Sequence, residues 1–125
     1  MKYDFDPNLP IYIQVMDEIK KKIFNGYYGS GVKIDSVREL ALEYSVNPNT
    51  IQKALSELER ENLLYSKRSM GRFVSEDAEL IEKMKSEIIN EKVKVFINEM
   101  CELGCNKSDI IELIKELGWT KFFLI

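Results

Sequence analysis

A chain of 125 residues has room for one domain, or for one small domain with a short helical appendage. Its 45% apolar and 31% charged composition excludes a disordered chain, and no apolar run approaches the roughly 18–20 residues that span a bilayer. Histidine is absent, cysteine occurs only at Cys101 and Cys105, and the net charge is −3, which excludes a Ser-His-Asp or Cys-His centre, a one-chain thiol-imidazole zinc site and a uniformly basic protein.

The opening MKYDFDPNLP lacks the basic-then-apolar layout of a secretory signal, so a cytoplasmic protein is expected. A first helix is predicted from Pro10, a residue suited to the first turn, with Ile11, Val15, Ile19 and Ile23 repeating at helical period beside Tyr12 and Met16. It ends at Asn25-Gly26, and YYGSG reads as a turn before a very short strand at Val32 to Ile34. Ser36-Val37-Arg38-Glu39 is a capping box, since the serine hydroxyl can accept from the third amide while the glutamate reaches back. The short second helix turns Val37, Leu40, Ala41 and Tyr44 inward, and Val46, in the connection that follows, is expected to plug the core.

Asn47 caps a third helix with Pro48 at its first position. Ile51, Ala54, Leu55 and Leu58 form its buried face. Asn49, Thr50, Gln52, Lys53 and Ser56 occupy the other: short donors and acceptors where the rest of the chain places Glu and Lys. Leu63 to Lys67 and Phe73 to Ser75 pair as a hairpin, with Arg68-Ser69-Met70-Gly71 at its tip. A long helix then runs from Ala78 to Leu103 and stops at Gly104. A last one is capped by Asn106 with Asp109, contains Ile110, Ile111, Ile114 and Leu117, and is followed by the apolar WTKFFLI.

Two helices joined by a tight turn, the second opening on small polar residues, describe a helix-turn-helix. The start of the second must enter the major groove, so its side chains there must be short and able to donate and accept; Asn and Gln can pair with adenine edges, and Thr can meet a thymine methyl or a phosphate. The charge is polarised in keeping with this: residues 1–75 are net +1, residues 76–125 net −4, and residues 62–75 hold Lys67, Arg68 and Arg72 with no acid. That cationic hairpin suits phosphate contacts or the minor groove, although hairpin edges also carry cations merely to discourage pairing. Arg38, equally, could serve DNA or pair with Glu39 or Glu43. The candidate DNA-contacting set is Ser36, Arg38, Asn47, Pro48, Asn49, Thr50, Gln52, Lys53, Lys67, Arg68, Ser69, Gly71 and Arg72. Neither a GxxxxGK[ST] nor a GxGxxG run occurs, and no enzyme, cofactor or metal is expected.

Over residues 9–74 the chain resembles, without a gap, the winged helix-turn-helix domain of GntR-type bacterial regulators. LPIYIQV, SVRELA, VNPNT followed by A-L-x-x-L, and GRFV at the close of the wing carry the likeness. The short all-helical remainder is similar to that of the YtrA-type subfamily. The resemblance implies a homodimeric repressor of an inverted-repeat operator ahead of a small transporter-type operon. It implies DNA contacts at Arg38, Pro48, Asn49, Thr50 and Gln52 and, from the wing, at Arg68, Ser69 and Gly71. Two departures stand out: Asp35 replaces the family's usual proline, and Ser69 its usual wing glycine.

The expected architecture is mainly α with a small β-hairpin wing: a DNA-binding domain over residues 1–75 and a helical dimerisation segment over 76–125. The stripe Ile81, Met84, Ile88, Ile89, Val93, Phe96, Ile97 and Met100 reads as a two-fold interface. It could instead pack against the first and last helices, or form the cavity of a small apolar effector lined by Trp119, Phe122 and Phe123. Cys101 and Cys105 read as packing residues, and the partners expected are double-stranded DNA and a second copy, with no membrane. A different class, a winged-helix protein-interaction module without DNA binding, fits the acidic net charge and Asp35.

Overall fold

The computed structural model describes residues 3–118 and is mainly helical with one antiparallel hairpin. The elements are α1 (Ile11–Phe24), α2 (Val37–Tyr44), α3 (Pro48–Arg60), β1 (Leu64–Lys67), β2 (Gly71–Val74), α4 (Ala78–Glu102) and α5 (Lys107–Leu113), with a π-helical turn at Ile114–Gly118. Residue contacts divide the chain into two compact units at Lys83/Met84, within α4.

In the first unit α1 and α2 both pack on α3, as their apolar stripes dictate. Val15, Met16, Ile19 and Ile23 of α1 meet a core completed by Leu40, Ala41, Tyr44, Ile51, Ala54, Leu55 and Leu58, all buried. α1 has no side-chain cap. Gln14 instead fixes the segment before it, accepting from the Asp6 amide at 2.8 Å and donating to the Asp6 carbonyl at 2.8 Å. The hairpin register pairs Leu64 with Val74 and Lys67 with Gly71, so Leu64, Phe73 and Val74 close the core from below. Residues 32–34 run beside β2 as a single bridge, Lys33 to Phe73, fixed by the Val74 amide donating to the Val32 carbonyl at 2.9 Å.

Tyr44, not Val46, is the plug. Ser45 adopts the left-handed conformation (φ 57°), and Val46 is left half-buried on the rim of a surface cavity. Tyr3 packs edge-on against Tyr44 at 4.6 Å between centroids and donates its hydroxyl to Glu43 at 2.8 Å, pinning the start of the chain to the end of α2. Desolvation, then the Glu43 carboxylate, push the Tyr3 hydroxyl up to about 12. Lys22 also donates to Glu43, at 2.7 Å.

In the second unit α4 turns down at Gly104, whose φ of 85° suits a residue without Cβ. Asn106 and Asp109 form a reciprocal capping box on α5, and Ile110 is buried. Along α4 no residue is buried: Ile89 and Val93 are each 48% exposed and Phe96 43%. Met84, Ile88, Ile97 and Met100 are half-buried. Ile81, before the break, lines a shallow cavity of about 220 Å³ with Ile23, Tyr28 and Val74 of the first unit. Trp119, Phe122 and Phe123 lie outside the described residues. Among the described residues no helix is long and apolar enough to cross a membrane.

Candidate nucleic-acid interface

The capping box at the start of α2 forms as its residues require. The Glu39 amide donates to Ser36 Oγ at 3.1 Å and the Ser36 amide to Glu39 Oε1 at 2.9 Å. The backbone and hydroxyl hydrogen bonds from Ser36 hold the Glu39 carboxyl below its ordinary range. This engages Ser36 and Glu39 with each other and leaves Arg38 beside them exposed, with no hydrogen bond or ion pair to any described residue. Asp35, the acid ahead of the box, accepts from the Tyr28 hydroxyl at 2.8 Å, so one of its oxygens faces inward. Burial first, and this bond second, raise the Tyr28 hydroxyl.

The turn between α2 and α3 closes through the Val46 amide donating to the Ala41 carbonyl at 3.1 Å. Asn47 Oδ1 accepts from the Asn49 amide at 2.7 Å, and the Asn47 carbonyl takes the Thr50 amide at 2.9 Å. With Pro48 lacking a donor, the first-turn amides of α3 are thus satisfied by their own cap. What this helix end can offer an external partner is therefore its side chains. Asn49 and Gln52 are exposed on the side of α3 away from Ile51, Ala54 and Leu55, and Thr50 is half-buried at the edge of the packed face. Lys53 is exposed too, but its ammonium stands 4.1 Å from the Tyr12 ring centroid, a cation–π contact that steers it toward α1.

The wing separates its cations. Arg68 is exposed at the turn without a partner among the described residues, and Lys67 Nζ lies 4.5 Å from the Phe73 ring centroid. Ser69 takes φ 62°, the value that its usual glycine would adopt freely. Gly71 is required by its φ of +104°; a Cβ there would also stand 3.0 Å from Lys33 Cε, the movable end of an exposed side chain. Arg72 turns back toward α3, where its guanidinium pairs with Glu59 and donates to Gln52 Oε1 at 3.5 Å. Ser66 Oγ donates to the same Glu59 oxygen at 2.9 Å. Burial alone would raise the Glu59 carboxyl, but the hydrogen bonds from Arg72 and Ser66, and the Arg72 charge, outweigh it and hold the group low.

The fold therefore brings Arg38 of α2 to a hollow shared with Pro48 at the start of α3, and Asn49, Gln52 and Lys53 follow along the outer side of α3, with Lys53 drawn to Tyr12. A cavity of about 320 Å³ joins that face to the wing, lined by Lys33, Asp35, Ser36, Met70, Gly71 and Arg72. A second hollow, about 470 Å³, is bounded by Arg38, Leu42, Val46 and Pro48. Sequence reasoning missed Glu59 and Tyr12, the residues that hold Arg72 and Lys53. Glu59 sits seven positions beyond Gln52, on the same helix face, and that spacing was the available signal.

The profile described as bacterial regulatory proteins, gntR family, matches residues 11–74. The HTH-type transcriptional repressor YtrA of Bacillus subtilis (strain 168) is 38% identical over 111 residues, covering 87% of this chain and 85% of that protein. The solved structure of a GntR family transcriptional regulator from Listeria monocytogenes is 42% identical with a TM-score of 0.84, covering 90% of this chain and 98% of the other. The DNA-binding domain of AraR, solved in complex with operator ORX1, is 39% identical with a TM-score of 0.52 over 54% of this chain and 81% of that one.

Proposed function

This chain belongs to the gntR family of bacterial regulatory proteins, and from that premise we propose that it is a repressor whose homodimer reads an inverted-repeat operator through the start of α3. The family and its relatives are DNA-binding transcriptional regulators rather than enzymes. What carries the reading is the face of exposed Asn49 and Gln52 and half-buried Thr50 on α3, together with exposed Arg38 on α2 and Arg68 at the wing tip, neither of which has a partner among the described residues. The uncharged residues meet base edges and the cations meet phosphate, the division of labour that positions a protein and then specifies its site.

Dimerisation rests on α4, which buries none of its residues within the chain while Ile89, Val93 and Phe96 stay half-exposed. A second copy related by a two-fold axis covers such a stripe with itself. It also doubles the number of cations on the duplex, which makes up for the net charge of only +1 over residues 1–75 of each copy. The regulated genes form a small operon of transporter type, as the resemblance implies.

Selection of bound fragments from random duplex DNA by the full chain tests this. The expected product is an inverted repeat whose half-site centres lie about one helical turn, or a multiple of it, apart. Lack of any enrichment at low salt would leave a protein-interaction module as the better reading.

A further inference from the structure

Among the described residues, the wing's hydrogen bonds reach back to one candidate recognition residue of α3, Gln52. Arg72 of β2 pairs with Glu59, and Glu59 is held in turn by Ser66 of β1, the cross-strand partner of Arg72. Gln52 and Glu59 lie seven residues apart, about two turns, on one side of α3, so a guanidinium anchored on the second reaches the first. Arg72 Nη1 donates to Gln52 Oε1 at 3.5 Å. The Arg72 and Glu59 side chains are only 17% and 30% exposed, so the anchor is sheltered from solvent while Gln52 itself is exposed.

We propose that Arg72 is a positioning residue that fixes the Gln52 amide with its oxygen toward the wing and its two N–H donors toward DNA, making Gln52 a reader of acceptor edges, guanine above all. This rests on the assignment of Gln52 to the DNA interface. The contact is long and weak as a hydrogen bond, and its value lies in favouring one of the two orientations of the amide over the other. With the amide turned over, the NH₂ group would face the guanidinium, donor against donor, with no acceptor between them. In the major groove guanine presents two acceptors, N7 and O6, while adenine presents one acceptor and one donor. The bidentate adenine pair needs the glutamine oxygen at the DNA edge beside the N–H, so it competes with the orientation in which Arg72 holds that oxygen toward the wing. Guanine leaves the Arg72 contact in place. The arginine thus sets a base preference without touching a base.

The test is selection from random duplexes with the full-length wild type, Gln52→Ala, Arg72→Ala and Arg72→Lys, each first checked for an unchanged melting temperature. Wild type is expected to favour guanine over adenine by roughly tenfold at one position in each half-site, and Gln52→Ala to flatten that position alone. Arg72→Ala is expected to bring the ratio to about unity or below with other positions unchanged, whereas Arg72→Lys, which keeps a donor within reach, retains guanine. A uniform loss of affinity in Arg72→Ala with the guanine preference intact would overturn the proposal and make Arg72 a phosphate contact. If Gln52→Ala changes no position, the Gln52 assignment itself falls, a distinct outcome. Should Arg72→Ala melt early, Glu59→Gln decides: adenine must gain when the Glu59 anchor is weakened, and a guanine preference unaltered in Glu59→Gln refutes the positioning role.

Discussion

Truncating Phe96 to alanine should weaken self-association while leaving the winged-helix unit folded. The side chain keeps 43% of its surface exposed within one chain. Complete burial of a large apolar side chain stabilises by about 1.5–3 kcal/mol, so covering the remaining fraction stabilises by ~0.7–1.3 kcal/mol. A two-fold interface uses the residue twice, giving ~1.3–2.6 kcal/mol, or about 10- to 80-fold in the dimer dissociation constant. Ile89 and Val93, each 48% exposed, lie about two turns and one turn before it, and their truncation should act in the same direction. Sedimentation equilibrium of wild type and Phe96→Ala reads the constant directly. Circular dichroism melting reports on the fold. A Phe96→Ala protein that dimerises as tightly as wild type, or a wild type that is monomeric at every concentration, would refute the assignment of this face.

Ser36→Ala removes one half of the reciprocal cap on α2 and should cost about 1 kcal/mol, lowering the melting temperature by roughly 4–8 °C, whereas Ser36→Asp, which restores an acceptor, should recover most of it. An unchanged melt for the alanine variant would mean that the box contributes nothing to stability. Acid unfolding should depend on Glu59: its folded pKa lies below the ordinary 4.5, so its contribution is fully present above that value and disappears as pH falls through the lowered one. Glu59→Gln should therefore flatten the acid limb of the stability–pH curve below about 4.5, and an identical limb in both proteins would contradict the strength assigned to the Arg72 pair.

Much of the DNA-facing half was legible because its determinants are local. A capping box is a spacing of three residues, an N-cap followed by proline is two, and the uncharged face of α3 follows from its own period. The elements of the wing followed from alternation and a glycine at the tip. What escaped were side chains whose partners come from elsewhere. Arg72 reads in sequence as one more cation for phosphate, and only the packing of the hairpin on α3 through β1 brings its side chain to Glu59 and Gln52. Lys53 likewise meets Tyr12 across the α1–α3 contact. Val46 was expected inside and is half-buried, because the left-handed backbone at Ser45 turns the chain outward after Tyr44. Tyr3 gave no periodic signal, being outside any helix, yet it packs on the buried Tyr44 ring. The apolar face of α4 could be read, but an amphipathic pattern states only that a face needs covering.

The salt dependence of operator binding bears most directly on a paired molecule that sets Arg38 against phosphate on each half-site. Affinity of wild type and Arg38→Ala for the selected duplex, followed by fluorescence anisotropy over a range of salt, gives the slope of log K against log salt. Each phosphate neutralised contributes about −0.9, so losing one contact in each of two protomers should make the slope shallower by about 2, with the melting temperature unchanged. An Arg38→Ala protein with the wild-type slope and affinity would contradict the account.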